Sequence, residues 1–216
     1  MIVLDIPSKY IAVLKLFAAE KDVRYWLNGI CLEIGPEESR LIATNGHRLG
    51  CFRLKSSQPT ITIPLMEVII PSDMLSEVKP RESKVSVEIG DLLSPKDDAE
   101  ESLARNVTLR QDGILLAAGK TADRKFPTYR KAIPTQVSGQ LAQYDARYLK
   151  DLSKIWSLLH GSAKACGAAI GYNGELPALI DMKHDDFTGC ILPLRVLAIN
   201  NFPPWLFDSL EVSDLV

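Results

Sequence analysis

The 216-residue sequence lacks the cysteine pattern of a metal site and any apolar run long enough to cross a membrane. Its four cysteines, Cys31, Cys51, Cys166 and Cys190, are dispersed without a CxxC pair, so we expect reduced thiols and no zinc site or disulfide framework. A transmembrane helix needs roughly 20 consecutive apolar residues, and no segment approaches that length. The opening MIVLDIPSKY lacks a basic region followed by an apolar stretch, so we expect no signal peptide.

An excess of positive charge is also missing. The formal net charge is −2, with 46% hydrophobic and 24% charged residues, which is typical of a soluble globular protein. No global positive field therefore favours nucleic acid, and any DNA contact requires a local basic surface. These features together predict a soluble cytoplasmic protein without a membrane partner.

Residues that suggest catalysis are few. His47 has no serine, cysteine or acid placed beside it by sequence, so we interpret it as a structural or pocket-rim histidine rather than a general base. The KHDD stretch, Lys183 to Asp186, lacks a second ligand cluster and is interpreted as a polar hairpin tip rather than a metal site. With no glycine-rich nucleotide loop either, we expect no cofactor and a binding module rather than an enzyme.

One supersecondary unit, consisting of a strand, a helix and three strands, recurs along the chain. The first copy comprises MIVLDI, a helix from Pro7 to about Lys21, YWLNGICLEIG, RLIAT and HRLGCFRL. The second comprises TITIPLMEVIIP, the short helix SDMLSEVK, KVSVEIG, NVTLRQDG and ILLAAGK. A weaker third comprises GQLAQYD, the helix ARYLKDLSKIWSLLHG, AAIGYNG, PALIDMKHDD and FTGCILPLRV. The sequence therefore predicts an α+β chain built from repeated βαβββ units.

The stretch IATNGHRLG contains a turn signal, because Asn45 and Gly46 both tolerate positive φ. A two-residue type I′ hairpin would set Thr44 opposite His47 and Ile42 opposite Leu49. Those four side chains would then share one face, while Ala43 and Arg48 would take the other. The local pattern alone favours an ordinary hairpin with a solvated tip.

Four segments, in this order, resemble the bacterial DNA polymerase III β subunit, or sliding clamp, family: DVRYWLNGICLEI, RLIATNGHRLG, KFPTYRKAIP and ILPLRV. The first three are similar to signatures of the family's middle domain, and the fourth to the end of its last domain. The resemblance implies a DNA-clamp fold with a complete clamp-like domain at residues 1–134, a half domain at 135–196 and an apolar tail at 197–216. The family's first domain and half of its last domain are missing from this pattern, which places ordinary ring closure in question.

In the family, partner proteins dock a short peptide in a groove between the middle and last domains. The resemblance implies that one wall of this groove comprises Leu27, Thr44, Gly46, His47, Arg48, Leu49, Pro127, Lys131 and Ala132. The opposite wall would comprise Tyr148, Cys190, Leu192, Pro193, Leu194 and Arg195. Leucines would line the groove, and Arg48 and Arg195 would hold backbone carbonyls or an acidic flank of the peptide.

Family clamps also attract DNA phosphates with basic helix faces. Here Arg147, Lys150 and Lys154 fall on one side of their predicted helix, and Lys21 lies in a loop that touches DNA in the family. Ordinary solvated surface charges are the alternative interpretation of these four residues.

The resemblance implies a sliding-clamp-like DNA replication and processivity protein. Its partners would be DNA polymerase, the clamp loader or repair proteins, each through a short linear peptide, and also double-stranded DNA. The alternative is a monomeric adaptor or decoy, of a mobile-element type, that has the pocket but does not encircle DNA. Self-association remains open. The tail residues Trp205, Leu206 and Phe207 either fill the pocket or cover apolar surface.

Overall fold

A computed structural model describes residues 1–55, 65–93, 103–161 and 166–195. In the first part of the chain, strand β1 (Ile2–Pro7) is followed by helix α1 (Ser8–Lys15), then by β2 (Gly29–Ile34), β3 (Glu38–Thr44) and β4 (Arg48–Lys55). Four further strands follow: β5 (Met66–Pro71), β6 (Lys84–Leu92), β7 (Arg105–Gln111) and β8 (Ile114–Lys120). The last described part contains α2 (Ala146–His160), β9 (Ala169–Gly171), β10 (Ala178–Asp181) and β11 (Phe187–Ile191). Short 3-10 turns occur at Tyr25–Leu27 and Tyr129–Ala132.

The strands form two antiparallel sheets. The four-stranded sheet has the order β1-β6-β7-β8, and the seven-stranded sheet has the order β5-β2-β3-β4-β11-β10-β9. Strand β11 therefore continues the sheet from the edge of β4, joining chain segments that are well over 100 residues apart in sequence. This edge-to-edge pairing brings the third predicted repeat against the first.

The main core lies between the sheets and the two helices. Helix α1 buries Tyr10, Ile11, Val13 and Leu14, and it packs beside α2. Helix α2 is capped by Asp145, whose side chain accepts a hydrogen bond from Arg147 N, and it buries its leucine and isoleucine stripe. A second, smaller group of buried side chains lies on the opposite face of the seven-stranded sheet, as the alternation along β3 and β4 requires.

Three sequence-based predictions about single elements were wrong. SDMLSEVK forms consecutive turns rather than a helix, because only twelve residues separate β5 from β6 and Pro80 disfavours a helical Lys79. GQLAQYD is not a strand. Two isolated backbone hydrogen bonds occur there instead: Gly139 N donates to Tyr172 O, and Gly174 N donates to Gln140 O. Helix α1 ends at Lys15 rather than near Lys21. Of the three units, only the first shows all five expected elements among the described residues.

Candidate functional site

The pairing of β4 with β11 places two distant segments of the predicted groove side by side. In this register Cys190 lies opposite Leu49, and Ile191 lies opposite Arg48. Just beyond the strand, Leu192 N donates a hydrogen bond to His47 O at 2.7 Å. The loop at His47 and the segment that follows β11 are therefore in direct contact.

An apolar floor lies beneath this junction. Leu27, Leu49 and Cys190 are each less than 5% exposed, and Ala132 packs against the same cluster. We call this group the outer cluster; its buried members are Ala19, Leu27, Cys31, Ile42, Leu49, Cys51, Ile69, Phe126, Tyr129 and Cys190. Phe126 and Tyr129 were not among the predicted groove residues, although both occur in the KFPTYRKAIP segment. Burial raises the pKa of the Cys190 thiol to about 11, so this cysteine contributes apolar surface rather than a thiolate.

The loop that carries His47 differs from the predicted hairpin. Thr44 pairs with Leu49 rather than with His47. The connection between β3 and β4 has three residues, Asn45, Gly46 and His47, and of these only Gly46 has a positive φ, at 86°. The Asn45 side-chain oxygen accepts hydrogen bonds from the backbone N–H groups of His47 and Arg48, at 3.0 and 3.1 Å. A two-residue type I′ turn is therefore wrong, because the asparagine side chain closes a wider loop. The loop leaves His47 exposed at its tip.

Arg48 projects toward the helices, on the other side of the sheet from Leu49. Its guanidinium lies 4.3 Å from the centre of the Tyr148 ring and makes an ion pair with Asp151 at 2.7 Å. It also donates to the carbonyl oxygen of Leu16. Arg48 Nε is buried and has no hydrogen-bond partner among the described residues. The Tyr148 ring in turn stacks with the His47 ring, with 6.4 Å between the ring centres. We call Arg48 and Tyr148 the polar corner, which lies beside the apolar floor.

The remaining predicted groove residues lie at the rim or outside it. Leu192 and Leu194 are 39% and 45% exposed, and Leu194 N donates to Gln143 O at 2.7 Å. Pro193 is half-buried, and Arg195 and Lys131 are exposed. Pro127 instead lines a separate cleft of about 660 Å³ near the start of β5. The exposed leucines are available to a partner without any rearrangement of the core.

A buried carboxylate fixes the wall formed by residues 129–132. Glu33 on β2 accepts hydrogen bonds from Arg40 at 2.9 Å, from Arg130 at 2.5 Å and from the Tyr129 hydroxyl at 3.3 Å. Burial acts to raise the pKa of Glu33, but the hydrogen bonds from Arg130 and Arg40 outweigh it and hold the pKa below its ordinary value. This network ties the 3-10 turn that carries Ala132 to the sheet.

The predicted DNA-contacting residues lie on the helix side of the molecule. Lys21, Lys150 and Lys154 are exposed, and Arg147 is exposed but engaged with Asp145. Burial lowers the pKa of Lys15, and the nearby charges of Lys79 and Lys154 add to that shift. Lys15 and Lys79 were missed by sequence reasoning because these three lysines come from separate segments that meet only in the fold.

A polar cleft of about 590 Å³ separates the polar corner from the end of α1. Its lining includes the cations Lys15, Arg24 and Arg147 together with the acids Asp22 and Asp151. Asp22 is paired with Arg24, whose hydrogen bonds lower the pKa of that carboxyl to about 2. The two signs of charge thus partly offset each other in this cleft.

Two charged residues of the KHDD stretch, Lys183 and Asp186, make ion pairs. Lys183 pairs with Asp181, while Asp186 contacts Arg53 at 2.9 Å and Lys55 at 3.3 Å. In the described portion of the chain, no three metal-ligating side chains come together. None of its helices combines the length and apolar character that crossing a bilayer needs.

Comparison with known proteins decides the family. Residues 5–127 match the family model of the DNA polymerase III beta subunit, central domain. The chain belongs to the DNA polymerase III beta subunit family. It is 31% identical over 117 residues to the beta sliding clamp of Escherichia coli K12, covering 54% of this chain and 28% of that protein. It is 28% identical over 184 residues to the beta sliding clamp of Buchnera aphidicola, covering 84% of this chain and 46% of that protein. The chain therefore spans less than half the length of these curated relatives.

Solved beta subunit structures share the fold. The crystal structure of the DNA polymerase III subunit beta from Pseudomonas aeruginosa matches with a TM-score of 0.65 and 17% identity, covering 91% of this chain and 67% of that one. A putative DNA polymerase III beta subunit from Eubacterium rectale matches with a TM-score of 0.60 and 10% identity, covering 90% and 65%. The predicted α+β DNA-clamp fold is confirmed, and at these identities the likeness establishes the fold alone.

Proposed function

We propose that this chain is a non-enzymatic, sliding-clamp-like replication protein that docks short peptides of polymerases, clamp loaders or repair proteins. The observation that carries the proposal is the β4–β11 pairing, which places Leu49 opposite Cys190 within the buried outer cluster. We also propose that residues 1–134 and 135–196 are its two structural units. The predicted role of the tail at 197–216 concerns residues outside the described ones.

The groove offers the chemistry that a short peptide needs. Leu192 and Leu194 are partly exposed above an apolar floor, and the polar corner provides groups that can orient a peptide. Burying two apolar anchors contributes about 1.5–3 kcal/mol each, so with backbone hydrogen bonds we expect micromolar affinity.

A peptide titration tests this proposal. A fluorescein-labelled hexapeptide with a Leu-Phe anchor pair should bind with micromolar affinity, whereas the same peptide with both anchors changed to alanine should not bind. Leu192→Asp should abolish binding, because it places a charge above the apolar floor. Leu115→Asp is the matched control, since Leu115 is 52% exposed on the other sheet and should leave affinity unchanged. No binding by the unmodified protein at millimolar peptide would refute the groove.

DNA contact is the second part of the proposal. Lys15, Lys79 and Lys154 lie near one another and, together with the acid Glu77, form a patch of mainly positive charge. Lys21 and Lys150 are further candidate DNA contacts. Such a patch would hold phosphates without reading sequence, so affinity for a labelled duplex should fall steeply with added salt. The triple change of Lys15, Lys79 and Lys154 to alanine should weaken duplex binding and flatten that salt dependence.

One observation favours the adaptor alternative, which binds peptides without encircling DNA. Arg48 is engaged by Asp151, Arg147 by Asp145 and Arg24 by Asp22, which reduces the positive field on the helix side. Under this alternative, peptide binding is retained while duplex binding is absent at physiological salt. The two titrations on one preparation therefore separate the two functions.

A further inference from the structure

The cleft lined by Pro127 is formed where the two sheets meet, and we call it the Pro127 cleft. Leu92 and Arg105 contribute to it from the four-stranded sheet, and Glu67 contributes from β5 of the seven-stranded sheet. Residues 124–130 form the remaining side. Of the predicted groove residues, only Pro127 lines it. Its volume of about 660 Å³ is large enough for part of a peptide.

Backbone hydrogen bonds hold the walls of this cleft in place. Ala122 N donates to Ile69 O at 2.8 Å, which connects the segment after β8 to β5. Thr121 N donates to Arg105 O at 2.9 Å, which connects the same segment to β7. The two sheets are therefore joined beside the cleft, and a ligand does not have to open it.

Exposed leucines from three separate segments line the Pro127 cleft. Leu65, Leu92 and Leu103 are 60%, 54% and 38% exposed. They lie just before β5, at the end of β6 and shortly before β7, so only the fold brings them to one cleft. Exposed apolar side chains grouped in this way, with charged residues around them, are typical of a binding surface.

The charged residues of the cleft are mainly positive. Among its described lining residues they are Arg105, Arg124, Lys125, Arg130 and one acid, Glu67. Arg130 is paired with Glu33. In the described part of the chain, Arg105 and Arg124 donate to a backbone carbonyl and to a tyrosine hydroxyl, and neither they nor Lys125 make an ion pair with a carboxylate. Three positive charges are therefore available to an anionic ligand.

We propose that the Pro127 cleft is a second docking site, which binds an acidic peptide segment carrying an aliphatic anchor. The three cations match the negative charge of such a segment, and the leucines match its anchor. Nucleic acid would match the charge alone. The aromatic residues of the cleft, Phe126 and Tyr129, are each 6% exposed, so they offer no face on which a base could stack.

A peptide titration on the full chain tests the proposal. The probe is a fluorescein-labelled octapeptide in which two leucines are separated and flanked by aspartate and glutamate. Fluorescence anisotropy should give a Kd of roughly 10–100 µM, which rises as salt is added. Changing both leucines of the peptide to serine, or all its acids to their amides, should weaken binding about tenfold in each case, because the site requires both the anchor and the charge.

Variants of the protein locate the binding. Lys125→Glu should weaken it about tenfold, because the change reverses an exposed charge at the cleft. Lys84→Glu is the matched control, since Lys84 is an exposed lysine at the opposite end of β6 from Leu92. Leu92→Asp should weaken binding by a similar factor, whereas Leu115→Asp, at 52% exposure on β8, should not.

Glu67→Gln gives a result that damage to the fold cannot imitate. Removing the acid of the cleft removes its repulsion of an acidic ligand, so affinity should rise about threefold rather than fall. Unchanged or weaker binding in this variant would contradict the proposed charge match.

Other outcomes would also overturn the proposal. These are no binding at millimolar peptide, or equal weakening by Lys125→Glu and Lys84→Glu. A short single-stranded oligothymidylate that binds more tightly than the peptide, and loses this binding in Lys125→Glu, would assign the cleft to nucleic acid instead. Lys125→Glu and Leu92→Asp should bind the Leu-Phe hexapeptide as the unmodified protein does, so a failure here leaves the groove function standing.

Discussion

Replacing Glu33 with glutamine is expected to destabilise the fold and loosen one wall of the groove. The Glu33 carboxylate is 2% exposed and accepts from Arg40, Arg130 and the Tyr129 hydroxyl. Glutamine keeps the shape but removes the charge, so the two guanidinium groups lose their counter-ion. The turn at Tyr129–Ala132 then loses its connection to β2.

The size of the effect follows from the exposure of the partners. A hydrogen bond to a charged group contributes about 1.5–3 kcal/mol when it is shielded from water. Arg130 is 53% exposed and Arg40 is 30% exposed, so solvent screens part of both interactions. We therefore expect a loss of about 2–3 kcal/mol, which for a protein of this size lowers Tm by roughly 5–10 °C.

Urea denaturation at pH 7 and thermal unfolding measure this loss. Glu67→Gln is the matched control, because Glu67 lies directly opposite Glu33 on β5 and is exposed. Partial burial of the Glu67 carboxyl group, together with the charge of Glu33, raises the pKa of Glu67, so removing its charge relieves repulsion and should leave stability unchanged or slightly higher.

The pH dependence has a definite sign. A carboxyl group with a lowered pKa stabilises the fold above its unfolded pKa, about 4.3 for glutamate, and loses this contribution as pH falls through the folded pKa. The stability difference between the unmodified protein and Glu33→Gln should therefore shrink below about pH 4. Stability within 0.5 kcal/mol of the unmodified protein at pH 7, or an equal loss in Glu67→Gln, would refute the reasoning.

Two further changes test the packing of the main core. Burial lowers the pKa of His184, so the folded state favours the neutral ring. The contribution of this ring to stability is therefore full above about pH 6.5, the ordinary pKa of histidine, and is lost as the pH falls below it. Between pH 7.5 and pH 5.5, Tm should drop less in His184→Gln than in the unmodified protein. Gly50→Ala would place a Cβ 2.7 Å from the fully buried Phe17 ring, so we expect a loss of about 1–3 kcal/mol by urea denaturation. Gly90→Ala, whose Cβ would meet Asn106 at an ordinary 3.5 Å, should cost less, and equal losses would contradict the packing argument.

Local sequence signals predicted most strands but misjudged several connections. The alternation in RLIAT and HRLGCFRL correctly indicated paired strands, because side-chain period is a local property. The Asn45-Gly46 pair suggested a two-residue turn, yet the Asn45 side chain accepts hydrogen bonds from two backbone N–H groups and closes a three-residue loop. The hydrogen bonds that a side chain makes are not specified by the dipeptide alone.

Part of the candidate site was predictable from the sequence. Leu27, Leu49 and Cys190 were recognisable from family-like segments, and they do lie in one buried cluster. Sequence spacing did not indicate that Arg48 would turn toward Asp151, or that Lys15 would approach Lys79 and Lys154. Those contacts depend on how α1, α2 and the turns after β5 pack together.

The sequence by itself determined the family, the order of most elements and the apolar faces, because strand period and turn composition act over a few residues. Only the tertiary structure decided that β11 pairs with β4, since every free strand edge offers the same backbone donors and acceptors. Packing of α1 against α2 and burial of Phe187 select that edge and register. The candidate groove exists because of that selection, which no local pattern encodes.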